Sequence, residues 1–479
     1  MKIIIIGGGI IGTFIGRELS KYDVEITLIE KNLDIAWGTT KANSAVLHPG
    51  YDDEPGTMRA KLCSRGNYLH YQLAKELDYE VKNTGDLVVA FNKDERKILE
   101  ELILRGAKNN VPGLTLLEGN EIFQKEPNLN KEIKYALWAP TGGIIEPWGA
   151  AMAALENAMM NGLKLILGEK VIDFEKRNKK IYKVYTNRAS YEADIIINAA
   201  GLYGDEIAKI AGSEFQPIHP RRGEYILLDK KMGNIVNSVI FPTPTPKTKG
   251  ILVLPTIDGG LLLGPTAEDL SEDQKDNTST SVVGIRKIIE ETQKLVPSLD
   301  ISYAIKTFAG LRAETPNKDF FIKLSEKVNN FINVIGIRSP GLTAAPAIAE
   351  YVVEEIIIEE MKINLTKKKN FIPFRRKIKK YSELPLEDWN EEIKRDPSCG
   401  KIVCYCNQVT EREIIEAIKR GANTIDGIKF RTRASFGRCQ GNFCGPKILE
   451  ILSRELNKDI SEIFLNSENS WILNGRVRK

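Results

Sequence analysis

Short runs of consecutive apolar residues alternate with amphipathic stretches at the start of the chain. Ile3–Ile6 is entirely apolar, which is typical of a strand buried on both faces of a parallel sheet. Three glycines and a helical pattern to about Ser20 follow, and then a second strand from Val24 to Ile29. This strand, helix and strand order predicts a doubly wound α/β domain.

A different pattern occupies residues 81–144 and 216–325. Short segments there alternate apolar and polar residues, among them Gly223–Leu228 and Gly250–Pro255. Such segments predict an antiparallel sheet, which we expect to bind the substrate. The α/β part is therefore discontinuous, over about 1–80, 145–215 and 326–365.

Residues 366–398 separate this first domain, residues 1–365, from a last domain over residues 399–479. Eight Lys or Arg and no acid fall between Lys367 and Lys380, interleaved with apolar residues. We interpret the segment as a basic linker wrapped on the first domain. Contact with anionic lipid or with an acidic partner subunit is the alternative.

The glycines after the first strand form a dinucleotide-binding fingerprint in its required context. Gly7 suits the tight turn, Gly9 lets backbone approach a pyrophosphate, and Gly12 lets the helix pack on the strand. Glu30 follows Gly12 by eighteen residues, at the end of the second strand, where an acid binds a ribose hydroxyl. The first strand therefore leads into a dinucleotide site.

Four cysteines near the end of the chain predict a small helical domain with a metal cluster. Cys404 and Cys406 form a C-x-C pair, and Cys439 and Cys444 form a C-x4-C pair thirty-two residues later. Iron–sulfur clusters take four thiolates, whereas zinc cysteines usually stand two to four residues apart. We therefore predict a 2Fe-2S cluster over structural zinc or disulfides.

Composition excludes some classes of function but names none. The 479 residues carry a net charge of +4, which gives no general case for nucleic-acid binding. No stretch of eighteen uncharged apolar residues offers a membrane span, and the chain opens on a strand and not on a signal peptide. We expect a cytoplasmic protein. Peripheral contact with the inner membrane face, through the basic segment, stays an open alternative.

The segments after Glu30 decide the type of dinucleotide by resemblance. Gly38–Tyr51 and Pro55–Cys63 resemble the flavin-facing loop of the D-amino acid oxidase superfamily, and are most similar to its L-2-hydroxyglutarate dehydrogenase branch. Asp194–Gly201 and Gly336–Thr343 are similar to that superfamily's later FAD motifs. The resemblance spans roughly residues 1–365 and implies a Rossmann-type FAD-binding domain with an antiparallel substrate domain.

The resemblance also implies which residues hold FAD. They lie in the glycine turn, at the acid, in the flavin-facing loop and in the later motifs. The implied FAD-binding residues are Gly7, Gly9, Ile11, Gly12, Glu30, Lys31, Thr39, Asn43, Ser44, Val171, Ala200, Gly201, Gly310, Pro340, Gly341, Leu342 and Thr343. The helix that starts near Thr343 would direct its N-terminus at the flavin.

Asp396–Ile463 resembles the bacterioferritin-associated ferredoxin module. Gly437–Cys444 in particular is similar to the tail of anaerobic glycerol-3-phosphate dehydrogenase A subunits. This resemblance implies an electron relay and, beyond it, a second redox subunit or a quinone-linked acceptor.

Oxidation at a flavin needs a base for the alcohol proton and a cation for the anionic end of the substrate. His48 matches an active-site histidine of the resembled dehydrogenases and is our general-base candidate, with a loop-ordering hydrogen bond as the alternative. Arg312 matches their substrate-anion arginine, and its donor fork suits carboxylate or phosphate. Tyr225 and Arg222, from the Arg-Gly-Glu-Tyr match, are second candidates.

The two halves of the chain point to different substrates. Well-known glycerol-3-phosphate dehydrogenases carry Gly-Gly-Lys-Leu-Thr-Thr-Tyr-Arg where this chain has Ser339–Pro346, so the Lys and Arg that bind phosphate there are missing. The catalytic half favours a 2-hydroxy acid, and the cysteine tail favours sn-glycerol 3-phosphate, which we rank first. L-2-hydroxyglutarate or an amino acid is the alternative substrate. An NAD(P)H-dependent reductase and a non-enzymatic electron or iron carrier are the rival classes, and oligomerisation is left open.

Overall fold

A computed structural model describes residues 1–245, 248–473 and 475. The chain divides into two compact units, one of residues 1–29 and 36–375, and one of residues 30–35 and 376–479. None of the described helices is long and apolar enough to cross a bilayer.

The described residues contain strands that are mostly short and belong to five sheets. In chain order the strands are β1 Lys2–Ile6, β2 Glu25–Glu30, β3 Val46–Leu47, β4 Val81–Lys82, β5 Asp86–Ala90, β6 Thr115–Glu118, β7 Tyr135–Ala139, β8 Gly143–Ile145, β9 Lys164–Leu167, β10 Val171–Arg177, β11 Lys180–Thr186, β12 Ser190–Glu192, β13 Ile195–Asn198, β14 His219–Leu228, β15 Val239–Pro242, β16 Leu252–Pro255, β17 Leu261–Gly264, β18 Glu268–Asp269, β19 Ala304–Glu314, β20 Phe321–Leu324, β21 Phe331–Ile335, β22 Ile402–Cys404 and β23 Val409–Thr410.

The described residues of both units also form α-helices. They are α1 Ile10–Leu19, α2 Met58–Leu77, α3 Lys93–Lys108, α4 Asn120–Lys125, α5 Pro147–Met160, α6 Gly204–Ala211, α7 Val282–Leu295, α8 Gly341–Tyr351, α9 Leu386–Arg395, α10 Glu411–Lys419, α11 Ile425–Thr432 and α12 Gly445–Leu456. A π-helical turn, Val352–Glu360, continues α8.

The first sheet has the order β20-β21-β13-β1-β2-β9. Its central strands β21, β13, β1 and β2 are parallel. Ile3–Ile6 is buried, as its all-apolar sequence requires, and α1 covers the sheet with its buried Phe14 and Ile15. The α/β prediction for this part of the chain is confirmed.

The second sheet has nine strands and carries the substrate-binding half predicted from sequence. Its order is β18-β14-β17-β16-β15-β5-β7-β6, with β19 also paired to β14. All of its pairs are antiparallel except β5 with β15. The strand β14 is long because it pairs with β19 over ten positions, from His219 to Leu228. These two strands carry three of the predicted catalytic residues.

The second unit is small and mostly helical. Helices α10, α11 and α12 pack around a core that includes Ile414, Ile428, Ile448 and Leu452. Thr410 starts α10 with a capping box that it shares with Glu413.

The segment predicted as a linker contains helix α9 and is shared by the two units. Residues up to Arg375 group with the first unit, and residues from Arg376 onward with the second. Arg375 forms a partly buried ion pair with Glu156 of α5 at 2.7 Å. Residues 366–375 therefore form a strap on the first unit.

Candidate active site and cluster site

The carboxyl ends of three parallel strands bring the separate FAD motifs together. Gly7 follows β1, Ala199–Gly201 follows β13, and Gly336 follows β21. Ile6 is in register with Asn198, and Asn198 with Asn333. Ligands of open α/β sheets bind at this edge. Motifs almost 330 residues apart in sequence thus share one edge.

The backbone of the glycine turn is packed too closely for a side chain at Gly7 or Gly12. Gly7 has a φ of +111°, and a Cβ built there would lie 2.4 Å from the Ala199 carbonyl oxygen. A Cβ on Gly12 would lie 2.0 Å from the Gly7 carbonyl oxygen. Gly9 starts α1 without a side-chain cap. Helix N-termini bind phosphates, so this turn fits the pyrophosphate of a dinucleotide.

The predicted residues Glu30, Lys31 and Val171 occupy different environments. Glu30 is buried, and its carboxylate accepts hydrogen bonds from the Asn32 backbone N–H at 2.9 Å and side-chain amide at 2.6 Å. Lys31 is exposed. The side chain of Val171 packs in an apolar cluster with Ile4, so a contact with the cofactor would come from its backbone.

Residues 39–44 are fastened to the second sheet. The Thr39 hydroxyl donates to the Leu311 carbonyl oxygen at 2.7 Å, and Asn43 donates to the Thr39 carbonyl oxygen at 3.1 Å. A Cβ on Gly310 would lie 1.9 Å from the Ala42 carbonyl oxygen, which explains the glycine on β19. Ser44 lies 3.3 Å from the Tyr225 hydroxyl, oxygen to oxygen. The flavin-facing loop is therefore held at a fixed distance from β14 and β19.

The start of α8 is fixed by two histidines. The His48 backbone N–H donates to the Thr343 hydroxyl at 2.9 Å. His70 Nε2 donates to the Leu342 carbonyl oxygen at 3.0 Å, while its Nδ1 lies 3.0 Å from the Tyr79 hydroxyl. Burial lowers the pKa of His70 to about 4, so its ring is neutral. Pro340 and Gly341 begin this turn, and the expected position of the helix N-terminus agrees with the structure.

His48 is buried at the end of β3, next to a lysine that the sequence analysis did not identify. Its Nε2 lies 3.5 Å from Lys249 Nζ, and Lys249 forms an ion pair with Asp52 at 2.7 Å. Burial and the Lys249 ammonium lower the pKa of His48 well below 6.5. Burial alone would raise the pKa of Asp52, but the Lys249 ammonium, together with Arg59, holds it well below its usual range. His48 is therefore neutral, as a base must be.

The two contacts of the His48 ring favour opposite tautomers. The Gly50 N–H donates to Nδ1 at 3.0 Å, which favours a hydrogen on Nε2. The Lys249 ammonium opposite Nε2 favours a free lone pair there. A base at Nε2 uses the second tautomer, in which Lys249 and not Gly50 supplies the hydrogen bond.

Tyr225 and Arg312 lie on the same face of the β14–β19 pair. Arg221 is opposite Arg312 and Tyr225 is opposite Phe308, whose ring stacks on Tyr225 at 4.8 Å between centroids. Burial raises the pKa of Tyr225, and a hydrogen bond from Arg312 opposes that shift. The structure thus brings Tyr225, Arg312 and Ser44 together.

A cluster of guanidinium groups surrounds Arg312. Arg338 is largely buried, and its pKa is lowered by burial and by Arg59, Arg312 and Arg221, while Glu314 opposes the shift from 2.8 Å. Arg338, Arg59 and Arg221 each have an acidic partner, whereas Arg312 forms no ion pair with the residues that the structure describes. An arginine placed among other guanidinium groups without an acid of its own favours an anion. Arg338 belongs to the motif Gly336–Thr343, which the sequence analysis identified, but no role was predicted for Arg338 itself.

The structure does not bring Arg222 into this group. Side chains alternate between the faces of a strand, so Arg222 and Tyr225 lie on opposite faces of β14. Arg222 is bound to Glu268 at 2.6 Å and to Ser279 at 2.9 Å. These contacts hold β14 to β18 and to the segment that follows it.

The four predicted metal ligands meet at one end of the second unit. Cys406 and Cys439 have sulfur atoms 3.7 Å apart, and the thiols of Cys404 and Cys444 are hydrogen-bonded to each other. With metal–sulfur bonds of about 2.3 Å in a tetrahedron, two thiolates on one metal ion lie roughly 3.8 Å apart. The donor set therefore fits a 2Fe-2S cluster, one iron taking Cys406 and Cys439 and the other taking Cys404 and Cys444.

Two further cysteines stand outside the ligand set. Cys63 and Cys399 are both buried. The Cys63 thiol donates to the His48 carbonyl oxygen at 3.3 Å, and burial raises its pKa well above 9. Both lie in packed surroundings, apart from the four cysteines of the cluster site.

Two family descriptions match most of the chain. Residues 2–355 match "DAO: FAD dependent oxidoreductase", and residues 402–454 match "BFD-like [2Fe-2S] binding domain". The chain belongs to the FAD dependent oxidoreductase family. It is an enzyme that binds FAD, and it carries a 2Fe-2S domain of the BFD-like type.

Individual relatives agree with this family. The chain is 46% identical over 478 residues to a glycerol 3-phosphate dehydrogenase of Caloramator mitchellensis, covering 99% of this chain and 98% of the relative. A solved L-alpha-glycerophosphate oxidase from Mycoplasma pneumoniae with FAD bound superimposes with a TM-score of 0.73 and 33% identity, over 78% of this chain and 98% of its own. An L-2-hydroxyglutarate dehydrogenase of Indibacter alkaliphilus is 28% identical over 74% of this chain and 98% of its own.

Proposed function

We propose that this FAD-dependent oxidoreductase oxidises sn-glycerol 3-phosphate to dihydroxyacetone phosphate. The group of His48, Lys249 and Arg312, with Arg338 beside it, carries the proposal. A phosphate group needs cationic donors. Arg312 forms no ion pair with the described residues, while Lys249 and Arg338 already balance Asp52 and Glu314 and add donors rather than net charge. Lys249 and Arg312 would take the place of the Lys and Arg that are missing from Ser339–Pro346. The relative at 46% identity over 99% of the chain supports the same substrate.

The chemistry divides among the residues by their geometry. Bound FAD supplies the hydride acceptor. His48 takes the hydroxyl proton at Nε2, since burial and Lys249 keep its ring neutral. Lys249 balances the charge of Asp52, next to the His48 ring. Arg312 holds the phosphate, and Tyr225 orients Arg312.

Electrons then leave the protein singly. A bound 2Fe-2S cluster supplies a one-electron centre, which an enzyme that gives both electrons to oxygen does not need. We propose a protein acceptor, either a second redox subunit or a quinone-linked partner. Peripheral contact with anionic lipid through the strap is a further part of the proposal, because its Ile372 and Phe374 are exposed.

Anaerobic titration of the holoprotein tests the substrate. We expect glycerol 3-phosphate to bleach the flavin absorbance and then to produce the signal of a reduced cluster. Bleaching by L-2-hydroxyglutarate but not by glycerol 3-phosphate would overturn the phosphate assignment. The absence of bleaching by any small hydroxy or amino acid would favour an electron carrier.

A further inference from the structure

The cluster site has one buried edge and one edge at the surface. Cys404 and Cys444 are each 1% exposed, whereas Cys406 is exposed and Cys439 is partly exposed. Cys406 and Cys439, the two more exposed ligands, would hold the part of the cluster nearer the surface of the second unit. An electron acceptor would approach from this side.

Two large aromatic side chains flank the exposed edge. Tyr405, between Cys404 and Cys406, is 64% exposed, and Phe443, next to Cys444, is 74% exposed. The Phe443 backbone N–H hydrogen-bonds the Cys439 sulfur, so the main chain fixes this residue against the ligand. Large exposed apolar groups beside a site indicate a protein contact, because aromatic residues are enriched in interfaces.

The two segments that carry the ligands, residues 397–410 and 427–449, contain six basic residues and no acid. Acids outside these segments pair with Lys401, Lys429 and Arg431. The exposed basic residues are Lys401, Arg438 and Lys447. Lys447 Nζ lies 5.5 Å from the centroid of the Tyr405 ring, so charge and aromatic surface are contiguous. Such an edge attracts an acidic surface and repels a basic one.

We propose that Tyr405, Cys406, Arg438, Phe443 and Lys447 form a docking surface for an acidic protein that carries a one-electron centre. The proposal rests on the proposed function, in which electrons leave singly, and it identifies the kind of partner. In each encounter one electron leaves the holoprotein and reduces the metal centre of the partner, and no bond or proton is exchanged. The aromatic pair supplies contact area, and the cations steer the encounter.

An acidic plant-type ferredoxin serves as the probe. The holoprotein is reduced with dithionite, freed of excess reductant and mixed anaerobically with oxidised ferredoxin, while its reduction is followed at several salt concentrations. We expect a second-order rate constant that falls with salt, and a loss of about tenfold at low salt for Lys447→Glu and for Tyr405→Ser with Phe443→Ser. Calorimetric titration of the oxidised proteins should show the same loss in affinity.

Matched controls come from helix α9 of the same unit. Leu386 is 75% exposed, and the Lys394 side chain is 71% exposed, yet neither lies in a ligand-bearing segment. Leu386→Ser and Lys394→Glu should leave rate and affinity unchanged.

Equal losses in the α9 controls, or no loss in the docking variants, would overturn the docking surface. A rate that is independent of salt, as for a neutral quinone, would overturn the acidic partner. Because dithionite replaces the substrate, these outcomes are independent of whether glycerol 3-phosphate bleaches the flavin. Failure of the docking surface is thus distinguishable from failure of the proposed function.

Discussion

His48 is the residue on which the proposed chemistry depends most. We expect His48→Ala to retain FAD but to lose roughly 10²–10⁴-fold in the rate of flavin bleaching by substrate, the range typical of general acid–base catalysis. Stopped-flow absorbance measures this rate. His219→Ala is the control, since His219 is partly exposed and lies 3.5 Å from Asp269. If flavin bleaching in His48→Ala were near normal, His48 would not be the base, and its role would be the loop-ordering hydrogen bond.

Arg312 is expected to act on substrate binding rather than on the chemical step. Lysine keeps the charge but loses the donor fork, so Arg312→Lys should raise KM strongly, with a smaller effect on kcat. Steady-state kinetics with an artificial acceptor measures both. Arg286→Lys, on the exposed side of α7, should change neither. An unchanged KM in Arg312→Lys would remove this residue from the site.

His70 makes stability depend on pH. Burial lowers its pKa to about 4, so below pH 6.5 the unfolded chain binds a proton that the folded protein excludes. The free energy of unfolding should fall as pH drops from 6.5 to 4, by at most about 3 kcal/mol. Urea denaturation followed by flavin fluorescence at several pH values measures it. In His70→Gln the free energy of unfolding should depend less on pH over this range. An equal pH dependence in both proteins would refute the role of His70.

At the scale of elements, the strap combines a firm attachment with an exposed apolar face. Asn157 and Asn161 of the α5 end donate to the Ile372 carbonyl oxygen at 2.9 Å, while Ile372 and Phe374 are 44% and 57% exposed. The hydrogen bonds hold the backbone, so the exposed side chains are presented outward in a basic segment. This arrangement suits the surface of an anionic membrane.

Vesicle sedimentation tests this contact. We expect the holoprotein to bind vesicles rich in anionic lipid at low salt and to be released at high salt. Ile372→Ser with Phe374→Ser should weaken binding, while Ile172→Ser, at a residue 51% exposed on β10, should not. No sedimentation with anionic vesicles at low salt would rule out the lipid contact.

At the scale of the whole molecule, the two cofactor sites draw their ligands from different segments. The cysteine ligands lie in a unit with a core of its own, around Ile414 and Ile448. Cys406→Ser should therefore abolish iron and sulfide binding but leave FAD and its bleaching by substrate. Metal analysis and anaerobic titration measure both. Cys399→Ser is the control, because Cys399 is buried outside the ligand set. Loss of FAD in Cys406→Ser would show that the sites depend on each other.

Local geometry explains why much of the fold was predictable from sequence. A buried parallel strand needs an apolar run, and a turn that crowds a ligand needs glycine, so β1, Gly7 and Gly12 identify the dinucleotide site without a structure. Four cysteines in two close pairs likewise specify a cluster. The helix α9 was missed because its charged sequence, within a basic segment between prolines, resembles a linker.

Contacts between distant segments were decided only by the tertiary structure. Lys249 lies 201 residues from His48, and it became a site residue because the second sheet brings its loop against the flavin-facing loop. The choice of Tyr225 over Arg222 depended on which face of β14 meets Arg312, and the Arg-Gly-Glu-Tyr match alone could not define that face. Residues 30–35 join the second unit because Asp34 pairs with Arg431, a partner 397 residues away. The sequence thus determined the cofactors, through local backbone and ligand requirements, and the packing of distant elements decided the charges that meet the substrate.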